Sequence, residues 1–137
     1  MLSQQELSDR FEIQDLIARY SQLLDLRAWD EMDALFTEDC VLDYTSTGAI
    51  KGSWPEHKAF DIKMLTPFKG TQHLMGLPII IVTGDAATAR TICFNPMIIN
   101  DKKLFYVGLW YDDELRRTDT GWRFAKRTEE LSYFDGL

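Results

Sequence analysis

His73, in the stretch Thr71-Gln72-His73-Leu74-Met75-Gly76, is the side chain of this sequence best suited to chemistry. An imidazole changes charge close to neutral pH and can both take and give a proton. The residues after it, Leu77-Pro78-Ile79-Ile80-Ile81-Val82, read as a buried strand, and strand alternation puts His73 on one face with Met75, Leu77, Ile79 and Ile81. Two readings follow. A core histidine would have its ring nitrogens satisfied by backbone or a hydroxyl. A general base lining a pocket would need a second group to orient the ring. The other histidine, His57, is not at the i, i+4 spacing of a zinc helix with His73, and Cys40 and Cys93 form no C-x-x-C pair. Neither a metal nor another cofactor is therefore expected, and the cysteines are read as free core thiols of a reducing compartment. There is no Gly-rich phosphate loop, no G-x-S-x-G and no Cys/His nucleophile pair, which sets aside nucleotide-dependent and acyl-transfer chemistry.

The elements that must position His73 are legible from periodicity. Ser3-Gln4-Gln5-Glu6 is a capping box opening a helix, and Ile13, Leu16, Ile17, Tyr20, Leu23 and Leu24 form its apolar face as far as Asp25 or Leu26. A second short helix is predicted over 28–36 and a first strand over 41–44. Ser53-Trp54-Pro55-Glu56 repeats the capping box, with proline in the first turn, and opens a third helix toward Leu65. From Thr71 the period becomes extended, giving strands at 71–82, 86–99, 104–117 and 121–133. Their turns are Thr83-Gly84-Asp85, Asn100-Asp101-Lys102-Lys103 and Thr118-Asp119-Thr120-Gly121. Helices first and a meander second predict an α+β fold, a cone-shaped curved antiparallel or mixed sheet covered by three N-terminal helices. Pro78 and Pro96 each remove a ladder donor and are expected at a bulge or an edge. A bent sheet closed by helices leaves room for a pocket.

The bulk composition narrows the partners. Twenty-two acidic against fifteen basic residues give a net charge of −7, with no basic cluster interleaved with aromatics, so nucleic acid and anionic membranes are poor partners. The length suits one domain spanning residues 1–137. The first twenty residues carry charges throughout and lack an apolar signal-peptide core, so a cytoplasmic location is expected.

With these elements in place, the chain resembles the SnoaL-like branch of the nuclear transport factor 2-like superfamily, from about Leu7 to Leu131. The residues carrying the resemblance are Ala18-Arg19-Tyr20-Ser21-Gln22-Leu23-Leu24-Asp25, Trp29-Asp30, Leu35-Phe36-Thr37-Glu38-Asp39, Thr71-Gln72-His73 and Gly121-Trp122-Arg123-Phe124. Scytalone dehydratases, hexachlorocyclohexane dehydrochlorinases and bile acid 7-alpha-dehydratases share this layout. The resemblance implies that Asp25 and His73 form a dyad in which the imidazole takes a proton from substrate. Asp25 would fix the tautomer and stabilise the imidazolium. By itself the sequence puts Asp25 off the apolar stripe, at a helix end where a carboxylate meets the negative end of the macrodipole.

Further substrate-binding residues are implied one at a time. Tyr44 matches a scytalone dehydratase tyrosine that helps hold the catalytic water and the substrate carbonyl. Tyr20 matches a site-lining tyrosine of the bile acid dehydratases, and Arg127 a dehydrochlorinase arginine that assists the leaving group. Read without the resemblance, Tyr44 is a half-buried strand aromatic, Tyr20 a core residue, and Arg127 a charge on an exposed strand face beside Arg123 and Glu129. The chain also departs from its relatives. The second scytalone dehydratase histidine falls near Met97, the first of its tyrosine pair at Leu24, and the dehydrochlorinase lysine at Tyr20; Asn95 is the polar residue nearest the missing histidine. The expectation is a cofactor-free lyase, a dehydratase acting on a small hydrophobic hydroxy-carbonyl compound. The alternatives are an isomerase or aldol-type cyclase using the same dyad, and a non-catalytic ligand-binding or scaffold module. Relatives imply a homo-oligomer, a dimer or trimer.

Overall fold

The computed structural model describes residues 1–100 and 103–136. Two of the turn residues expected between the central strands, Asp101 and Lys102, lie outside the described residues. Helix α1 (Gln4–Asp25) starts at the Ser3 cap, whose hydroxyl accepts from the Glu6 N–H while the Glu6 carboxylate accepts from the Ser3 N–H. It buries Ile13, Leu16, Ile17, Tyr20 and Leu24, the stripe expected from spacing. Helix α2 (Trp29–Met32) is shorter than predicted and passes through one 3-10 turn at Asp33–Leu35. Strand β1 (Phe36–Asp43) then begins earlier than expected and ends one residue before Tyr44. After β2 (Lys51–Gly52), helix α3 (Trp54–Leu65) has the predicted Ser53/Glu56 box and first-turn proline.

The remaining strands are β3 (Phe68–Thr71), β4 (Leu74–Met75), β5 (Ile79–Thr83), β6 (Ala86–Ile99), β7 (Lys103–Thr118) and β8 (Gly121–Asp135). The sheet runs β2-β1-β8-β7-β6-β3, and β4 and β5 also pair with β6. All neighbours are antiparallel except β1 and β8, which are parallel, so the curved sheet is mixed and the α+β expectation holds. The inner face carries Cys93, Met97, Phe105, Leu109, Tyr111, Leu115 and Phe124 against the buried stripe of α1. Cys40 and Cys93 are both buried free thiols, as expected.

Two departures from simple alternation shape the site. The predicted strand 71–82 is three short strands laid end to end along β6. Thr71 pairs with Met97 and Met75 with Cys93, four residues on each side, so Thr71, His73 and Met75 share the inward face. From Met75 to Ile80, however, the chain spends five residues against four between Cys93 and Ala89. The extra residue falls in the Gly76–Pro78 break and reverses the alternation. Ile80 therefore points in (3% exposed), while Leu77, Ile79 and Ile81 point out at 89, 73 and 62%. The expectation that His73 shares a face with those three residues is corrected; it shares one with Met75 only. Pro96 sits where β6 changes partner from β4 to β3. Its carbonyl accepts from the Gln72 N–H, so its missing donor faces the gap between those strands.

The second departure is in β8. Leu115 pairs with Phe124 but Glu114 with Lys126, leaving Ala125 as an extra residue, and Ser132 is extra between Leu131 and Tyr133. The bulge at Ala125 brings Arg127 and Glu129 onto the same inner face as Trp122 and Phe124.

Candidate active site

Asp25 is the last residue of α1. The chain turns sharply there, with Arg27 in the left-handed region (φ 60°), its N–H donating to the Leu24 carbonyl. This frees the Asp25 carboxylate to reach the β3–β4 segment. Its Oδ1 accepts from His73 Nδ1 at 2.7 Å and from the Thr71 hydroxyl at 2.9 Å, and its Oδ2 accepts from the His73 backbone N–H at 2.8 Å. Arg27 Nη1 in turn donates to Thr71 Oγ1 at 3.0 Å and to the Leu24 carbonyl at 2.9 Å, bracing the turn. Burial alone would raise the Asp25 carboxyl; the hydrogen bonds and charge of His73, with the Thr71 hydroxyl, outweigh it and hold the group below its ordinary value. The carboxylate thus fixes Nδ1 as the protonated ring nitrogen. Nε2 is left with a lone pair and no hydrogen-bond partner among the described residues.

His73 lines a cavity of about 330 Å³ walled by α1, α3 and the inner sheet face. Asp25 is not on its surface; it stands behind the imidazole. Tyr20, Tyr44 and Asn95 all line the cavity. The Tyr20 and Tyr44 hydroxyls are 2.8 Å apart, and burial pushes both phenols well above their ordinary value, so both are neutral at physiological pH. The rest of the wall is mostly apolar, with Leu24, Met64, Phe68, Met97, Phe105 and Leu109 prominent. Beside Tyr20 and Tyr44, the aromatics facing the cavity are Phe60, Phe68, Phe105, Tyr111 and Phe134. Trp54 instead stacks on Phe36 in the core, at a ring separation of 4.5 Å.

Arg127 does not line the cavity. It is fully buried one layer back, with its guanidinium 4.1 Å from the Tyr20 ring centroid and 3.9 Å from that of Tyr111, and it pairs with Asp113 through Nε and Oδ1 at 2.8 Å. A substrate contact from Arg127, as the resemblance implied, is therefore corrected to support of the two tyrosines from behind. Placing it on an exposed strand face is corrected as well, because the bulge at Ala125 turns it inward.

Polar cavity residues beyond the expected site set are Thr47, in the 3-10 turn after β1, Asp61 of α3, Tyr111 of β7 and Glu129 of β8. Burial, reinforced by Glu129 and opposed by Arg27, pushes the Asp61 carboxyl up to about 7. Burial also raises Glu129, against a hydrogen bond from the Thr47 hydroxyl 2.6 Å from its Oε1. A signal for Asp61 was present, since it falls at helical spacing among His57, Phe60, Met64 and Leu65. His57 itself is a core histidine, fully buried, with Nε2 2.9 Å from the Leu42 carbonyl oxygen. Among the described residues no group of three or more His, Cys, Asp or Glu is placed to hold a metal ion, and no helix is long and apolar enough to cross a membrane.

Comparison with known proteins agrees with this geometry at the level of fold. Residues 5–128 match the SnoaL-like domain family. An uncharacterized protein of Mycobacterium tuberculosis, Rv2910c, is 42% identical over 131 residues, covering 94% of this chain and 89% of the relative. Among solved structures, a candidate aromatic ring hydroxylase from Novosphingobium aromaticivorans superposes with a TM-score of 0.87 at 24% identity, over 96% of this chain and 94% of that one. The hexachlorocyclohexane dehydrochlorinase LinA-type3 of Novosphingobium barchaimii does so with a TM-score of 0.83 at 18% identity, over 96% and 91%. The chain therefore belongs to the SnoaL-like domain family, on the nuclear transport factor 2-like fold.

Proposed function

We propose that this protein is a cofactor-free lyase, a dehydratase that removes water from a small hydrophobic hydroxy-carbonyl compound of polyketide, aromatic or steroid type. The observation that carries the reading is the Asp25–His73 contact of 2.7 Å at the wall of a largely apolar cavity. His73 Nε2 takes the proton alpha to the substrate carbonyl to form the enolate, whose electron pair then expels the hydroxyl on the beta carbon, and the imidazolium returns its proton to that hydroxyl so that water leaves. Asp25 holds the ring and offsets the imidazolium charge as it forms. The Tyr20–Tyr44 hydroxyl pair is the candidate donor to the developing enolate oxygen, with Asn95 beside it. The proposal includes a cytoplasmic location and a homo-oligomer that covers the apolar residues Leu77, Ile79 and Ile81, with neither nucleic acid nor membrane as a partner.

The test is to incubate the protein with a panel of aryl and alicyclic beta-hydroxy ketones in deuterated buffer and follow enone absorbance and isotope content together. Enone formation that needs His73 supports the dehydratase. Deuterium entry alpha to the carbonyl without loss of water would replace it with the isomerase or cyclase reading, and neither signal would leave a binding module.

A further inference from the structure

The cavity is unusually rich in hydrogen-bond acceptors that the protein itself does not serve. Asp61 receives no hydrogen bond among the described residues, and Glu129 has the Thr47 hydroxyl at 2.6 Å and the Tyr111 hydroxyl nearby to offset its burial. Beside them the Asn95 side-chain carbonyl oxygen is buried and unpartnered, in a residue 7% exposed. Buried polar atoms of this kind are normally satisfied, so several left open toward one cavity point to a ligand that satisfies them. From these acceptors we infer that Asp61 and Glu129 form a carboxyl pair which receives a hydroxyl of a neutral ligand and rejects ligands bearing a carboxylate.

Two acidic groups in one low-dielectric cavity do not both ionise easily. The groups facing Asp61 are Glu129 from β8, which favours its protonated form, and Arg27 from the α1–α2 turn, which opposes it; Glu129 in turn faces His73, between β3 and β4, and Arg127 of β8, which both favour its charged form. At neutral pH the pair therefore alternates between holding a proton and carrying added negative charge. A neutral hydroxyl can donate to it in either state. A carboxylate meets like charge that grows as the pair ionises. This deepens the dehydratase reading, since it limits the hydroxy-carbonyl substrate to uncharged compounds, but its test needs no turnover and so can fail separately.

The experiment is calorimetric titration of wild-type protein with 2-naphthol and with 2-naphthoate, matched in shape and differing in charge. The expected result is that naphthol binds at least roughly tenfold more tightly, a preference that widens between about pH 6 and about pH 8 as Asp61 ionises. In Asp61→Asn the widening with pH should disappear, and in Glu129→Gln the preference itself should shrink. Equal or tighter binding of naphthoate by wild-type protein would overturn the inference, as would no binding of either probe.

Discussion

Asp25 does more than face an imidazole: it collects a ring N–H, a backbone N–H and a hydroxyl, all from Thr71 and His73. Asp25→Asn keeps the shape but offers an amide nitrogen to one of these donors and removes the charge that balances the imidazolium. The expected outcome is a loss of roughly 10²–10⁴ in kcat with the far-UV spectrum unchanged, read by single-turnover kinetics and circular dichroism. Asp61 gives a prediction of opposite electrostatic sign. Its folded pKa, about 7, lies above its unfolded value, so the folded state binds the extra proton. Its contribution is therefore most favourable below about pH 4 and is lost as pH rises through 7. Urea midpoints of wild-type protein and Asp61→Asn should diverge across that window, the variant gaining relative to wild type as pH rises. His73 was visible as a candidate from its surroundings, and Asp25 only through the family resemblance, because its role depends on how the chain turns after the helix. Glu129 was hidden for a definite reason: one extra residue at Ala125 inverts which side of β8 is inside.

At the scale of elements, capping boxes, stripe spacing and short polar turns were enough to place α1, α3 and the long strands. What the sequence did not reveal were the breaks, because a bulge is a matter of register between strands rather than of either strand alone. The same edge track that looks like one strand at 71–82 is three pieces, and its discontinuities give His73 its place in the cavity wall. A second feature of this kind is the tether between the start of α1 and the β7–β8 hairpin. Asp9, 3% exposed, accepts from Arg117 Nη1 at 2.6 Å and from the Trp122 indole N–H at 3.1 Å. The Arg117 hydrogen bonds hold its carboxyl well below the ordinary range despite burial. That stabilisation is present above the unfolded carboxylate pKa and is lost as pH falls through the folded one. Asp9→Asn should lower stability by about 1–3 kcal/mol at neutral pH and by less at low pH, as measured by urea unfolding.

For the whole molecule, the inverted alternation that buries Ile80 also leaves Ile79 and Ile81 on the outer face of β5, with Leu77 exposed just before it. An apolar group of this kind on a protein of net charge −7 is expected to be covered by another copy. Light scattering should return a dimer or trimer mass, and the double substitution Ile79→Lys, Ile81→Lys should shift it toward the monomer without loss of helix content. The fold class was readable from the order of helices and strands, whereas the parallel addition of β1 to β8 is a long-range pairing that no local pattern announces. The most direct test of the account is the rate of water loss from a beta-hydroxy ketone that the wild-type protein dehydrates, measured beside His73→Ala after both have been shown to unfold cooperatively. The account predicts that elimination in the variant falls to the uncatalysed rate while binding of the ketone persists. Elimination by His73→Ala at the wild-type rate would contradict it.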